Sequence, residues 1–301
     1  MRLVTFIPEA SQESKGGPRV GALVDDGRSV LDFDRAIEAD ERGSAPWFDM
    51  EGRYFAKARA LCDRIGSNGL DQITTPGALY SLSEVTLLAP IARPGKLICI
   101  GLNYRDHAVE AKMPIPERPV VFSKFTTAVT GPGASVVAPP SSSQVDYEAE
   151  LAVVIGRRGK QVGRAQAFEY VLGYTNFNDV TARDFQFADG QWQRGKSCDT
   201  FAPMGPFIAT VDEVPNPHVL PIKLRLNGQT MQDSNTDQFI FGVPELIEFL
   251  SETITLEPGD VIATGTPPGV GFARKPPVFL KAGDVMEVEI EGLGVLKNPV
   301  A

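Results

Sequence analysis

The sequence predicts an α+β chain that is predominantly β, with a small α/β unit at its N-terminus. Three observations predict this. The 24 prolines and 29 glycines are spread along the chain rather than run together, so they punctuate many short elements. Asp-Gly at 26–27 and Asn-Gly at 227–228 each follow a short apolar run and supply the positive φ of a hairpin turn. Short strand-like runs also outnumber stretches with a helical apolar face. A chain of 301 residues holds one large domain, or a large one with a small one, and buries a core without staples.

Residues 1–85 read as a small, separate accessory domain with no evident chemistry. A strand covers 3–6, and runs at 21–24 and 29–33 flank the Asp-Gly turn. Over 51–65, Tyr54, Ala58, Leu61, Cys62 and Ile65 form one helical face, and Gly66 fits the stop. The texture changes at Leu87, so the second domain is placed at 86–301. It opens with a buried-strand run at 97–100. Strands follow at 120–123, 147–155, 206–211, 222–226, 260–264 and 284–291. Helices are predicted at about 165–171 and 244–252; Pro244 opens the second, with Leu246, Ile247 and Leu250 on one face.

Composition excludes several function classes. The formal net charge of -9 makes the chain a poor partner for nucleic acid or an anionic membrane. No apolar run is long enough to span a bilayer, and the first residues lack the pattern of a signal peptide, so a cytoplasmic location is expected. Cys62, Cys99 and Cys198 are odd in number and widely spaced, against both a disulfide framework and a CxxC zinc site. Only two histidines, His107 and His218, are present. A bound divalent metal would therefore take mostly carboxylate oxygens, which favours Mg, Mn or Ca over Zn or Cu.

Side chains alternate along a strand, so Glu148 and Glu150 share one face of 147–155. Tyr147, Ala149, Leu151, Val153 and Ile155 form the other face. The glutamates' own face continues as Ala152 and Val154, so both faces become apolar. Two carboxylates at the mouth of a buried strand repel and need a cation; on a wet edge they need none. The strand alone leaves both readings open. Asp179, beyond the apolar run 170–174, suits a third oxygen ligand or a helix cap. Such a triad would leave three octahedral positions open. Glu287, Glu289 and Glu291 alternate too, but against Met286, Val288 and Ile290, and read as the wet face of a C-terminal strand.

His107 and Glu110 share a helical face if 101–110 is helical, and a carboxylate there would orient the imidazole; a surface salt contact is the plainer account. His218 reads as a loop residue without a role. Lys196, in Arg194-Gly195-Lys196-Ser197, could reach a substrate carboxylate or oxyanion. The turn Thr264-Gly265-Thr266-Pro267-Pro268-Gly269-Val270-Gly271 offers backbone N–H groups and Thr266 to an anion, but is neither a P-loop nor GxGxxG.

Together these residues resemble the fumarylacetoacetate hydrolase family over about residues 88–300. The likeness rests on ordered motifs. They are Gly101-Leu102-Asn103-Tyr104 with His107 and Glu110, Phe122-Ser123-Lys124, and Asp146-Tyr147-Glu148-Ala149-Glu150-Leu151. Asn178-Asp179-Val180-Thr181-Ala182-Arg183-Asp184, Gly195-Lys196, Phe201-Ala202-Pro203-Met204-Gly205-Pro206 and the glycine-rich turn follow. Within the family the chain is most similar to the fumarylacetoacetate hydrolase domain-containing type 2 branch.

The resemblance implies a mixed β-sandwich roll and a homodimer. It makes Glu148, Glu150 and Asp179 ligands of Mg2+ or Mn2+. It makes His107 and Glu110 a water-activating dyad on a lid, with Lys196 as the oxyanion lysine. Arg183, Gln186 and Thr266 match positions that reach substrate. The expected function is metal-dependent C–C hydrolysis or lysis of a 2,4-dioxo, acylpyruvate-like or oxaloacetate-like acid. Oxaloacetate keto–enol tautomerisation, or 2-hydroxy-diene-dioate isomerisation, is the alternative on the same site. A non-enzymatic binding role is disfavoured, because every motif residue is present.

Overall fold

The structure is a computed structural model, and it describes residues 1–9, 17–188 and 190–301. Ten strands lie side by side in one large mixed sheet. Their order is Leu79–Ser81, Ser29–Asp32, Arg19–Val24, Arg2–Pro8, Ala202–Thr210, Val171–Asn178, Ala149–Ile155, Val261–Ala263, Leu97–Gly101 and Val120–Ser123. Val85–Leu88 and Val129–Thr130 add to it on Arg2–Pro8 and Ala202–Thr210. A four-stranded antiparallel sheet runs Gln229–Asn235, Pro221–Leu226, Val285–Ile290, Val295–Pro299. The architecture is α+β and mostly sheet, as the turn chemistry predicted.

One face of the large sheet packs on the small sheet and on the helix Val243–Thr253: Leu151, Val153 and Tyr174 meet Ile222, Leu224, Val288 and Leu246. The other face packs on the helix Arg53–Asn68 through Tyr54, Phe55, Ala58, Leu61 and Ile65. Every residue of Ala149–Ile155 is consequently buried. That is why its sequence turns apolar on both faces after Glu150.

Several elements differ from expectation for local reasons. The helix Arg53–Asn68 passes through Gly66 and ends at Gly69, whose φ of 82° takes the left-handed stop. Arg164–Tyr170 is a 3-10 helix; it buries only Ala167 and has no continuous apolar face to propagate an α-helix. The strand expected from Tyr147 starts at Ala149, because Val145–Asp146 pairs instead with Thr181–Ala182. The strand Val285–Ile290 stops before Glu291. Its Glu287 and Glu289 sit on the outer face, paired with Arg225 at 3.2 and 2.6 Å. The N-terminal residues share the large sheet: Arg2 and Leu3 pair with Ala209 and Ile208.

Register positions the site. Ala149 pairs with Asn178, so Asp179 arrives beside Glu148 and its N–H donates to the Glu148 carbonyl at 2.9 Å. Ala152 pairs with Ala263, so residue 265 arrives beside Glu150. Leu97–Gly101 runs parallel to Val261–Ala263, so its end opens on the same edge. Four strand ends converge there. Leu151 lies at the centre of that construction and is fully buried. Leu151→Ala should cost about 3 kcal/mol, read as a lower urea midpoint at an unchanged slope.

Candidate metal and catalytic site

Glu148, Glu150 and Asp179 meet at this edge, with one oxygen of each within 4.8 Å of the others, and all three are buried. The two glutamates share a face because they are two apart on an extended chain. The aspartate is the residue after the neighbouring strand Val171–Asn178.

Buried carboxylates demand partners. Glu148 Oε1 accepts from Arg183 Nη2 at 2.7 Å, and Oε2 accepts from Lys196 Nζ at 2.9 Å. Lys196 Nζ also reaches Asp179 Oδ2 at 2.7 Å. The other Asp179 oxygen accepts from Lys124 Nζ, which also donates to the Val180 carbonyl at 2.9 Å. Burial alone would raise the pKa of Glu148, but Lys196 and Arg183 outweigh it and hold it at about 2. Burial likewise works against charged Lys196, yet Asp179 and Glu148 hold its pKa above the ordinary range.

Glu150 is treated differently. Its Oε2 accepts from the Gly265 N–H at 2.9 Å. Burial, then the charges of Asp179 and Glu148, push its pKa well above the carboxylate range. The triad therefore has one carboxylate that favours its proton until a further cation arrives. An all-carboxylate set suits a hard cation such as Mg2+ or Mn2+, and these residues fit one.

Asp146 organises the next layer. Its Oδ1 accepts from Tyr147 N at 2.8 Å and Gly271 N at 2.7 Å; its Oδ2 accepts from Phe272 N at 3.0 Å and Arg183 Nε at 2.9 Å. Gly271 is required here, because a Cβ would lie 1.9 Å from the Val278 carbonyl oxygen. Arg183 is thus fixed between Asp146 and Glu148, and its Nη1 donates to Gln186 Oε1 at 3.1 Å. The Thr266 hydroxyl donates to the Ala149 carbonyl at 2.9 Å and accepts from Gln232 Nε2 at 2.8 Å. Arg183, Gln186 and Thr266 are each anchored by bonds within the protein.

His107 and Glu110 lie on the helix Arg105–Ala111, one turn apart, with His107 Nδ1 3.0 Å from Glu110 Oε2. Glu110 Oε1 accepts from the Gly269 N–H at 2.9 Å. Burial opposes its charge, but His107 and the Gly269 N–H outweigh that and hold its pKa below the usual range. An ionised Glu110 accepts at this contact, so Nδ1 is the donor, and in a neutral ring Nε2 carries the lone pair. The glycine-rich turn therefore touches both halves of the site, Glu150 through Gly265 and Glu110 through Gly269.

The sequence alone assigns no role to Lys124 or Asp146. Both stand inside quoted motifs, and a lysine directly after the short apolar run 120–123 was the available signal.

A family model, fumarylacetoacetate (FAA) hydrolase C-terminal, matches residues 96–301. The chain belongs to the fumarylacetoacetate hydrolase family. It is 53% identical over 303 residues to a mitochondrial oxaloacetate tautomerase of Bos taurus, covering 100% of this chain and 91% of that one. Two solved structures, each covered to 99% by the whole of this chain, are also similar. One is a fumarylacetoacetate hydrolase from Exiguobacterium antarcticum, with 34% identity and a TM-score of 0.78. The other is a 5-carboxymethyl-2-hydroxymuconate delta-isomerase from Mycobacterium smegmatis, with 35% identity and a TM-score of 0.76. The chain is an enzyme of the fumarylacetoacetate hydrolase type. Among the described residues no helix is long and apolar enough to cross a membrane.

Arg183→Leu should cost about 3–5 kcal/mol, since it leaves Asp146 and Glu148 buried without their guanidinium. Urea unfolding reads it, and an unchanged midpoint would remove Arg183 from the support of the triad. The folded pKa of Glu148 lies below its ordinary 4.5, so its contribution is complete above that value. It should be lost as the pH falls from there toward about 2, seen as a falling urea midpoint across that window.

Proposed function

We propose that the chain is a divalent-metal-dependent oxaloacetate keto–enol tautomerase. The observation that carries this reading is the 53% identity over the whole chain to a protein named for that reaction. The site supports it. Four buried carboxylates, Asp146, Glu148, Glu150 and Asp179, face three buried cations, Lys124, Lys196 and Arg183. With the proton on Glu150 the set is neutral. A divalent ion that displaces this proton leaves one excess positive charge, which suits an acidic, chelating substrate.

Glu148, Glu150 and Asp179 would hold Mg2+ or Mn2+, which as a Lewis acid would favour the enolate form of a 2-oxo acid. His107, with Nδ1 engaged by Glu110, takes the C3 proton on Nε2 and returns it to the enolate oxygen. Lys196 spends two of its three N–H donors on Glu148 and Asp179, and the third meets the developing oxyanion. Arg183, Gln186 and Thr266 complete the substrate site with the donors and lone pairs that their internal bonds leave. The protein acts as a homodimer in this reading. The free thiols of Cys62, Cys99 and Cys198 suit a reducing compartment, which the cytosol and the mitochondrial matrix both provide.

The second reading is C–C hydrolysis or decarboxylation of an acylpyruvate-like or oxaloacetate-like acid. The similarity to a solved fumarylacetoacetate hydrolase favours it. One substrate panel separates the two. With Mg2+ or Mn2+ present, tautomerisation speeds the ultraviolet decay of enol-oxaloacetate without forming pyruvate or CO2. Pyruvate with a second acid, or pyruvate with CO2, would replace the first reading by the second.

Asp179→Ala and Glu148→Ala should each lower the metal-dependent rate by more than about a hundredfold; full activity in either would dismiss the triad as the metal site. His107→Ala should slow turnover by about a hundredfold or more while metal still binds in calorimetry. Because the pKa of Glu150 is raised, metal binding should be accompanied by proton release as the ion displaces its proton. Calorimetry in buffers of different ionisation enthalpy reads it, and zero release would refute the protonated Glu150.

A further inference from the structure

We propose that His218 is a positioning residue for the His107 lid, acting through the strap 239–243. The helix Val243–Thr253 begins at Gly242, which has no side chain to cap it. An imidazole from a distant loop supplies the cap: His218 Nε2 accepts from the Val243 N–H at 3.0 Å. Gly242 permits that approach, since a Cβ there would lie 3.1 Å from Nε2.

The strap also carries the base of the lid. Ile240 N donates to the Asn103 carbonyl, and Phe241 N donates to Asn103 Oδ1, both at 2.8 Å. Asn103 Nδ2 returns bonds to the Phe241 carbonyl at 3.1 Å and the Thr264 carbonyl at 2.8 Å. Arg105 Nη1 donates to the Phe239 carbonyl. The rings continue the connection. Phe168 and Phe239 flank His218 at 6.2 Å each, and Phe239 meets Tyr104 edge-on at 4.9 Å. Tyr104 is the residue directly before the helix Arg105–Ala111.

Only a neutral imidazole can accept this bond. An imidazolium would point an N–H at an N–H and set a positive charge on the positive end of a helix. Phe168 and Phe239 flank the ring and Gly242 lies against it, and the carboxylates near them in sequence have other partners: Glu169 with Arg157, Asp237 with Gln238 and Glu245 with Arg164. Burial holds the pKa of His218 below its ordinary 6.5, so the contribution of the cap is complete above 6.5 and is lost as the pH falls below that value, through the lower folded pKa.

The consequence for catalysis rests on the reading of His107 and Glu110 as the catalytic pair; the test does not. Amide hydrogen exchange is followed on the full chain without substrate at about pH 7.5 and 5.5, corrected for the intrinsic pH dependence. His218→Gln keeps an acceptor that does not titrate, and His218→Phe keeps a ring without an acceptor. Acid should speed exchange about tenfold at Val243 and in 105–111 of the parent. His218→Gln should lose that acid-induced part, which separates it from titration of His107 and Glu110. His218→Phe should exchange fast at both pH values; should it fail to fold, the parent and His218→Gln decide alone. If acid opens Val243 while 105–111 exchanges alike in parent and His218→Gln, the link to the lid is overturned. A Val243 amide indifferent to pH overturns the cap as well.

Discussion

Three buried carboxylates, with an oxygen of each within 4.8 Å of the others, are the constraint on which the rest of the structure depends. In a low-dielectric interior such a cluster is costly unless each charge is met. The fold meets the three in different ways. Glu148 is held between Arg183 and Lys196, and Asp179 between Lys196 and Lys124. Glu150 has one backbone N–H, and burial with the charges of Asp179 and Glu148 raises its pKa. The shortfall of positive charge in the cluster therefore falls on a single residue.

That balance needs the strands to end where they do. A shift of one residue between Ala149–Ile155 and Val171–Asn178 would carry Asp179 away from Glu148 and turn Glu150 to the opposite face. The glycine-rich turn works at similar precision. Its Gly265 N–H serves the triad, its Gly269 N–H serves the dyad, and its Gly271 N–H serves Asp146, which in turn holds Arg183. The carboxylate triad, the His107–Glu110 pair and the Arg183 guanidinium are thus referred to one backbone segment, and movement of that segment would be felt by all three.

That Glu148 and Glu150 share a face was legible because alternation in one strand is a local property, but the strand alone left a wet edge open, and the resemblance to a family made them ligands. Asp179 was ambiguous alone, since a strand-ending aspartate caps helices as readily as it binds metals. The resemblance to a family, rather than the residue pattern, singled it out. Lys124 and Asp146 escaped because their partners are 55 and 37 residues away, and only strand register brings them together. His218 escaped for a similar reason: the cap it supplies is missing at Gly242, but which distant side chain fills it is a tertiary fact. The 3-10 turn and the later helix stop at Gly69 were misjudged locally, where one glycine tolerated inside a helix looks like the glycine that ends it.

The choice among reactions turns on what meets the enolate rather than on what forms it. Tautomerisation, isomerisation, decarboxylation and C–C hydrolysis all pass through an enolate, whose negative charge lies on oxygen, and a divalent cation held by the triad would favour that species in every case. His107 adds one lone pair, at Nε2, on an imidazole fixed by a carboxylate that is itself held at both oxygens. If that lone pair handles a substrate proton, the outcome is a shift of a double bond. If it handles a water proton, the outcome is hydrolytic cleavage. On the proposed reading the difference between these two lies in how well the helix Arg105–Ala111 excludes water while His107 is in place. The elements that seat this helix, Asn103 and the strap 239–243, would then bear on which reaction the shared chemistry completes as directly as the carboxylates do.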